Sequence, residues 1–175
     1  MAKKCVLVID VQVGMFHLSR PLYNADALLE NIRGLLQRAR SANSPVVYLQ
    51  HCGKAGSPFE KNSPGWHIHP SVRPSAQDDV IEKKYADSFR ETILEHVLLH
   101  LEIDHLVICG LATEGCIDTT VRRAASFGYA IELASDGHST TDNTHLKAEQ
   151  IVRHHNEVLK IFSDVKESKE IGFQS

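Results

Sequence analysis

Three residues in this sequence have side chains that could together attack and cleave a carbonyl compound: Asp10, Lys83 and Cys116. A cysteine supplies a nucleophile, a carboxylate can take its proton, and an ammonium group can steady the charges that result. Taken singly, each has a plainer reading. An aspartate after a strand is often a turn residue, a lysine in Glu82-Lys83-Lys84 is often surface, and a cysteine in a helix is often core. Position links the three. Asp10 closes the apolar run 5–9, Lys83 closes a short segment containing Val80-Ile81, and Cys116 opens a helical stretch soon after the run 105–109. The amino terminus of a helix presents unpaired N–H groups, and together with a nearby ammonium these are expected to lower the pKa of a thiol.

The elements that must hold these residues can be read from periodicity. Unbroken apolar runs at 5–9, 46–49 and 105–109, with a fourth at 129–134, suit short strands covered on both faces. A further short strand is expected at 80–81. Between the runs, Ala27, Leu28, Ile32, Leu35, Leu36 and Ala39 mark one face of a helix over 25–42. A second helix is marked by Phe89, Ile93, Leu94, Val97, Leu98 and Leu101. A third runs over 116–127 and is stopped by Gly128, and a fourth covers 143–159. Alternation of this kind predicts an α/β fold in three layers, with a mainly parallel central sheet flanked by helices. One domain spanning 1–175 accounts for the length. Residues 51–78 break the rhythm with Gly53, Gly56, Pro58, Pro64, Gly65, Pro70 and Pro74. A long aperiodic loop in a compact domain is usually functional, and this one leaves the second strand at the carboxyl edge of the sheet, where such folds bind ligands.

Composition narrows the function classes. The formal net charge is -3 with both signs scattered, so no basic stripe offers a nucleic-acid footprint. No stretch approaches the roughly 20 apolar residues that span a bilayer. The basic start followed by an apolar run superficially resembles a signal peptide, but Asp10 and Gln12 interrupt it, and it reads as a first strand. The four cysteines lack CxxC spacing, which argues against a zinc ribbon or a disulfide scaffold and favours a reducing, cytoplasmic setting. Cys5 and Cys109 fall inside strands and read as inert core. Among the 11 histidines, His67-Ile68-His69 forms a pair without a clear third ligand, so neither a metal nor another cofactor is expected. His154 and His155 read as surface or interface residues, and His138 as either a site-edge residue or part of a turn. Candidate pocket residues are Gln12, Phe16, His51, Trp66 and Tyr85, aromatic rings beside polar groups being usual in small-ligand sites. Trp66 could equally pin the long loop to the body.

Four segments carry a family likeness. Val8-Ile9-Asp10-Val11-Gln12, Ile81-Glu82-Lys83 with Phe89 six residues on, and the stretch from Gly110 to Thr120 around Cys116 resemble the three signature segments of the isochorismatase-like cysteine hydrolases. Asp136-Gly137-His138-Ser139-Thr140 resembles the segment that follows the next strand. The likeness runs in order from residue 5 to about residue 160. Lys84 adjoins Lys83, and the Phe89 spacing selects Lys83. The resemblance implies a Rossmann-like sheet and an Asp10-Lys83-Cys116 triad, with Gln12 bonding near Asp10. It also implies a cis peptide at Leu111-Ala112 and an oxyanion hole formed by the N–H groups of Ala112 and Cys116. The implied activity is hydrolysis of a small-molecule amide or N-carbamoyl compound through a cysteine thioester, by a homo-dimer or homo-tetramer. Nicotinamidases of the same superfamily bind a divalent ion through an Asp-x-His pair after the second strand. Here Leu49-Gln50-His51 lacks that carboxylate. A true isochorismatase is disfavoured by the presence of Cys116, and a noncatalytic binding protein of the same fold by the full triad.

Overall fold

A computed structural model describes residues 3–173. Six strands form one sheet: β1 (Lys4–Ile9), β2 (Val46–His51), β3 (Asp79–Lys83), β4 (His105–Leu111), β5 (Ala130–Ser139) and β6 (Asp164–Lys166). Their order is β3-β2-β1-β4-β5-β6, and every pair is parallel. The crossovers carry α1 (Ala25–Ser41), α2 (Leu94–His100), α3 (Asp118–Ser126) and α4 (Ala148–Val158). The apolar runs are unbroken because both faces of the sheet are covered. Cys5, Leu7 and Ile9 pack with Leu94 and Leu98 of α2 and with Val121 and Ala124 of α3. The alternate residues Val6 and Val8 pack with Leu28, Ile32, Leu35 and Leu36 of α1 on the opposite face. The period of two along a strand thus feeds two separate apolar layers. Among the described residues no helix is long and apolar enough to cross a membrane.

Three elements depart from the periodicity reading. The helix expected from Phe89 begins only at Leu94. Glu91 takes the left-handed conformation, with φ 55°, which a right-handed helix cannot contain. Nearby side chains also claim the backbone: Asp87 Oδ1 accepts from the Phe89 N–H at 2.9 Å, and Thr92 Oγ1 donates to the Ser88 carbonyl at 2.7 Å. Phe89 still reaches the core from this turn, beside Phe127 and Tyr129. The last helix likewise starts at Ala148 and not at Asn143, because Asn143 Oδ1 accepts the N–H groups of His145 and Leu146 in a tight turn. β5 runs on to Ser139, five residues past the expected end. Asp136-Gly137 reads as a turn, but the register shift between Ile108 and Gly110 admits the extra residues. A side chain at 137 would press on Ala134 and Cys109, so glycine lets the two backbones close up there.

Candidate active site

The carboxyl ends of β1, β3 and β4 converge on Lys83. Lys83 is the last residue of β3 and Asp10 lies one residue past β1. Cys116 lies in the π-helical turn Thr113–Ile117 that follows β4. The Lys83 side chain is fully buried and its Nζ donates three ways: to Asp10 Oδ2 at 2.7 Å, to the Tyr85 carbonyl at 3.1 Å and to Cys116 Sγ at 3.2 Å. Its neighbour Lys84 is exposed, so β-strand alternation separates the two lysines. Asp10 is 4% exposed, and its Oδ1 has no hydrogen-bond partner among the described residues. A buried carboxylate oxygen without a donor is costly, and here it lies on the residue that shares Lys83 with the thiol.

Burial pulls the Lys83 pKa down, but Asp10 and Cys116 outweigh it and hold the ammonium above the ordinary lysine value. The thiol behaves otherwise than its sequence position suggested. Burial, followed by the Asp10 carboxylate, pushes Cys116 up to about 12 against the opposing pull of Lys83. The lowering expected from a helix terminus is not seen: burial and the Asp10 carboxylate outweigh Lys83, and Cys116 precedes α3. Gly115, with non-helical φ -107° and ψ -105°, interrupts the helical backbone just before Cys116. The resting nucleophile is therefore a protonated thiol beside an ion pair.

The turn that bears Cys116 is tethered from below. The Leu111-Ala112 peptide entering it is cis. Thr113 Oγ1 lies 2.9 Å from His138 Nδ1, and His138 Nε2 lies 2.9 Å from Asn156 Oδ1 on α4. Asn156 uses its Nδ2 to donate to the Ser135 carbonyl at 3.1 Å, so its oxygen must accept from His138 Nε2–H, and Nδ1 accepts the Thr113 hydroxyl. Burial lowers the His138 pKa to about 4 and so preserves this neutral form. His138 is thus a buried strand residue, neither site edge nor turn. A second tether joins Thr140 Oγ1 to Glu114 Oε1 at 2.9 Å. Thr113 and Asn156 carried no sequence signal of this kind, since nothing in their spacing links α4 to the turn.

A cavity of about 850 Å³ opens beside Lys83, walled by His51, Cys52, Gly53, Lys54, Lys61, Glu82, Lys84, Tyr85 and Glu91 as well. His51 and Tyr85, two of the candidate pocket residues, are among its walls. Gln12, Phe16 and Trp66 do not line this cavity. Gln12 is fully buried, its Nε2 donating to the carbonyls of His51 (2.9 Å) and Trp66 (2.7 Å) and its Oε1 accepting from the His51 N–H (2.9 Å). Its whole amide is consumed in fixing the long loop. Phe16 packs on His69, 4.5 Å between ring centres, and Trp66 Nε1 donates to Cys52 Sγ at 3.2 Å, so the indole backs the cavity wall from behind. Burial lowers the His51 pKa and keeps the ring neutral. Leu49, at the position where a nicotinamidase would need its carboxylate, is buried in the sheet core. His69 caps the Ser71 N–H, and among the described residues no three His, Cys, Asp or Glu side chains converge on one point.

Comparison with known proteins agrees with this arrangement of strands and turn. The family model "Isochorismatase domain" matches residues 4–163. The chain belongs to the isochorismatase family. Similar family members include streptothricin hydrolase of Streptomyces noursei, 34% identical over 139 residues, which cover 79% of this chain and 50% of that protein. A maleamate amidohydrolase of Pseudomonas putida is 28% identical over 165 residues, covering 82% of this chain and 78% of that one. The crystal structure of an isochorismatase from Pseudomonas putida KT2440 superposes with a TM-score of 0.93 at 28% identity, over 97% of this chain and 90% of that one. The alignments with the streptothricin hydrolases span only about half the length of those relatives.

Proposed function

We propose that this family member is a cysteine amidohydrolase that cleaves a C–N bond of a small amide or N-carbamoyl compound through a thioester. The observation that carries the reading is the position of Lys83 Nζ, 2.7 Å from the Asp10 carboxylate and 3.2 Å from Cys116 Sγ, beside an open cavity. The amide-cleaving relatives, streptothricin hydrolase and maleamate amidohydrolase, support the reaction class. As Cys116 Sγ attacks the carbonyl carbon, its proton passes to Asp10, and Lys83 stays charged and balances the carboxylate before and after. The carbonyl becomes an oxyanion, met by the N–H groups of Ala112 and Cys116. Asp10 returns the proton to the leaving nitrogen, the C–N bond breaks, and an amine or ammonia departs from the thioester. Water then adds to the thioester, giving its proton to Asp10. The second oxyanion collapses with release of the acid, and the thiol recovers its proton.

A thiol that keeps its proton at rest suits this sequence, because the charge on sulfur develops only as the carbon is attacked. The four free cysteines support a reducing, cytoplasmic setting, and the assembly proposed is a homo-dimer or homo-tetramer. The test is ammonia release from a panel of primary amides and carbamoyl compounds, with Cys116→Ala as control. The variant is expected to lose at least about 10⁴-fold in kcat while keeping its circular dichroism spectrum. Rapid quenching of the parent enzyme is expected to trap an acyl group on Cys116 by peptide mass spectrometry. Retained turnover in the variant would remove the mechanism.

A further inference from the structure

The charge of the cavity runs against the charge of the chain. The protein carries a formal net charge of -3, yet four lysines and only two glutamates wall the space beside Lys83. Two of the lysines are already neutralised: Lys83 by Asp10 at 2.7 Å and Lys61 by Glu82 at 2.8 Å. Of the remaining acidic groups, Glu91 faces its neighbour Arg90 at 3.9 Å. That guanidinium also lies over the Tyr85 ring, 3.8 Å from its centre, and Tyr85 is itself a wall residue. Lys54 and Lys84 remain, both exposed to the cavity and neither within salt-bridge distance of a carboxylate among the described residues. Lys84 follows Lys83 directly and Lys54 lies three residues past the end of β2, so the surplus positive charge flanks the reacting centre on the β2 and β3 side.

From this we infer that the cavity holds an anion subsite, in which Lys54 and Lys84 bind an anionic group on the substrate remote from the scissile carbonyl. The inference rests on the amidohydrolase reading for its reaction, and it names the class of amide: one bearing a carboxylate or an equivalent negative group. A lysine ammonium is a compact point charge on a flexible stem, so the pair makes a tolerant anchor for one charge and imposes no rigid fork. A cleft lined with one sign of charge also concentrates oppositely charged substrate before contact. An amide with a cationic tail would meet repulsion in the same place.

Succinamate and the neutral butyramide test this, since they share a chain length and a scissile amide and differ in the terminal charge. Succinamate is expected to show a kcat/KM about tenfold or more above butyramide at low salt, the advantage shrinking as ionic strength rises. Lys84→Ala and Lys54→Ala are each expected to raise KM for succinamate about fivefold with little change in kcat, drawing the preference ratio toward one. Lys84→Glu is expected to take it below one. Equal kcat/KM for the two amides, or lysine variants that shift both amides alike, would overturn the subsite. Calorimetric titration of the Cys116→Ala protein with each amide separates this from the chemistry. If no amide is hydrolysed but succinamate binds more tightly than butyramide, the subsite stands and the amidohydrolase reading falls; equal or absent binding of the two removes the subsite.

Discussion

The central sheet carries a buried carboxylate beside lysine at each end, and the two sites are built to different ends. Toward the amino ends of β1 and β4, Glu132 is held by Lys4 at 2.5 Å and Lys166 at 2.8 Å, with His105 Nε2 3.2 Å away. Both of its oxygens have partners. At the carboxyl ends, Asp10 also sits 2.7 Å from a lysine, but one oxygen is bare and the shared ammonium is tied to a thiol. The first site closes every acceptor, which is what a cluster serving stability requires. The second leaves an acceptor open beside a nucleophile and a cavity. Incomplete satisfaction at a buried carboxylate, more than burial or ion pairing as such, marks which end of this sheet reacts.

Substitutions that exchange the two roles give the sharpest contrast. Asp10→Asn is expected to lower kcat by about 10³-fold or more, while Glu132→Gln leaves turnover per folded molecule near that of the parent; an amide hydrolysis assay on both variants checks it. Stability should reverse the order. Glu132→Gln is expected to cost about 2 kcal/mol in urea unfolding. Burial raises the Glu132 pKa, yet hydrogen bonds from Lys166 and Lys4 outweigh it and leave the carboxyl below its ordinary value. With the folded pKa depressed, this contribution is complete above the unfolded carboxyl pKa and is lost as pH falls through the folded one. Acid titration of the unfolding midpoint should therefore be less steep in Glu132→Gln.

Alkylation of Cys116 gives a smaller, purely electrostatic reading of the reactive end. Because burial and then Asp10 hold the thiol up, iodoacetamide is expected to modify Cys116 more slowly than a free thiol near neutral pH. Asp10→Asn should speed the reaction about tenfold at fixed pH, one pKa unit of relief being worth a factor of ten in thiolate, and Lys83→Met should slow it. Peptide mass spectrometry resolves Cys116 from the other three cysteines; faster labelling of the parent than of Asp10→Asn would reverse the electrostatics argued above.

The mildest expected effect concerns the tether below the nucleophile. Thr113→Val leaves His138 Nδ1 without its donor, at a cost of about 1–3 kcal/mol, and is expected to lower kcat more than it raises KM. Thr113→Ser restores the hydroxyl and should recover most of the loss. His138, lowered to about 4 by burial, contributes stability that is complete above its ordinary value of 6.5 and is lost as pH falls toward 4. Unfolding midpoints over that interval should decline less in His138→Asn.

How much of this was legible in the residues depends on how local the physics is. β1, β2 and α1 were readable because burial on one or two faces writes its period directly into the chain. The meeting of Asp10, Lys83 and Cys116 was readable because strand ends in a parallel sheet share one edge. The delayed start of α2 was not, since side-chain bonds from Asp87 and Thr92 compete with a sound apolar period. Nor was β6, three residues long and only partly buried. The proton state of Cys116 was not legible for a related reason: the sequence shows that a helix follows, but not the burial and then the Asp10 charge that push the thiol up. Gln12 was expected to bond near Asp10, but the partners of its side chain are main-chain atoms of His51 and Trp66 far along the chain, which no spacing reveals.

Those partners carry a consequence for protein engineering. Gln12 grips the long loop at His51 and Trp66 through backbone atoms alone, so the grip is indifferent to which side chains the loop displays. Lys54 and Lys61 can be exchanged as a library without touching that grip, whereas Cys52 also accepts the Trp66 indole N–H and is kept. Changing position 12 instead would remove this grip from every variant at once, leaving the main-chain bonds of Val11, Val13 and Gly14 to His69, His67 and Gly65. A search for altered substrate range should randomise Lys54 and Lys61, keep Gly53 and Gly65, where a side chain would press on Ser57 and Pro58, and hold Gln12 constant.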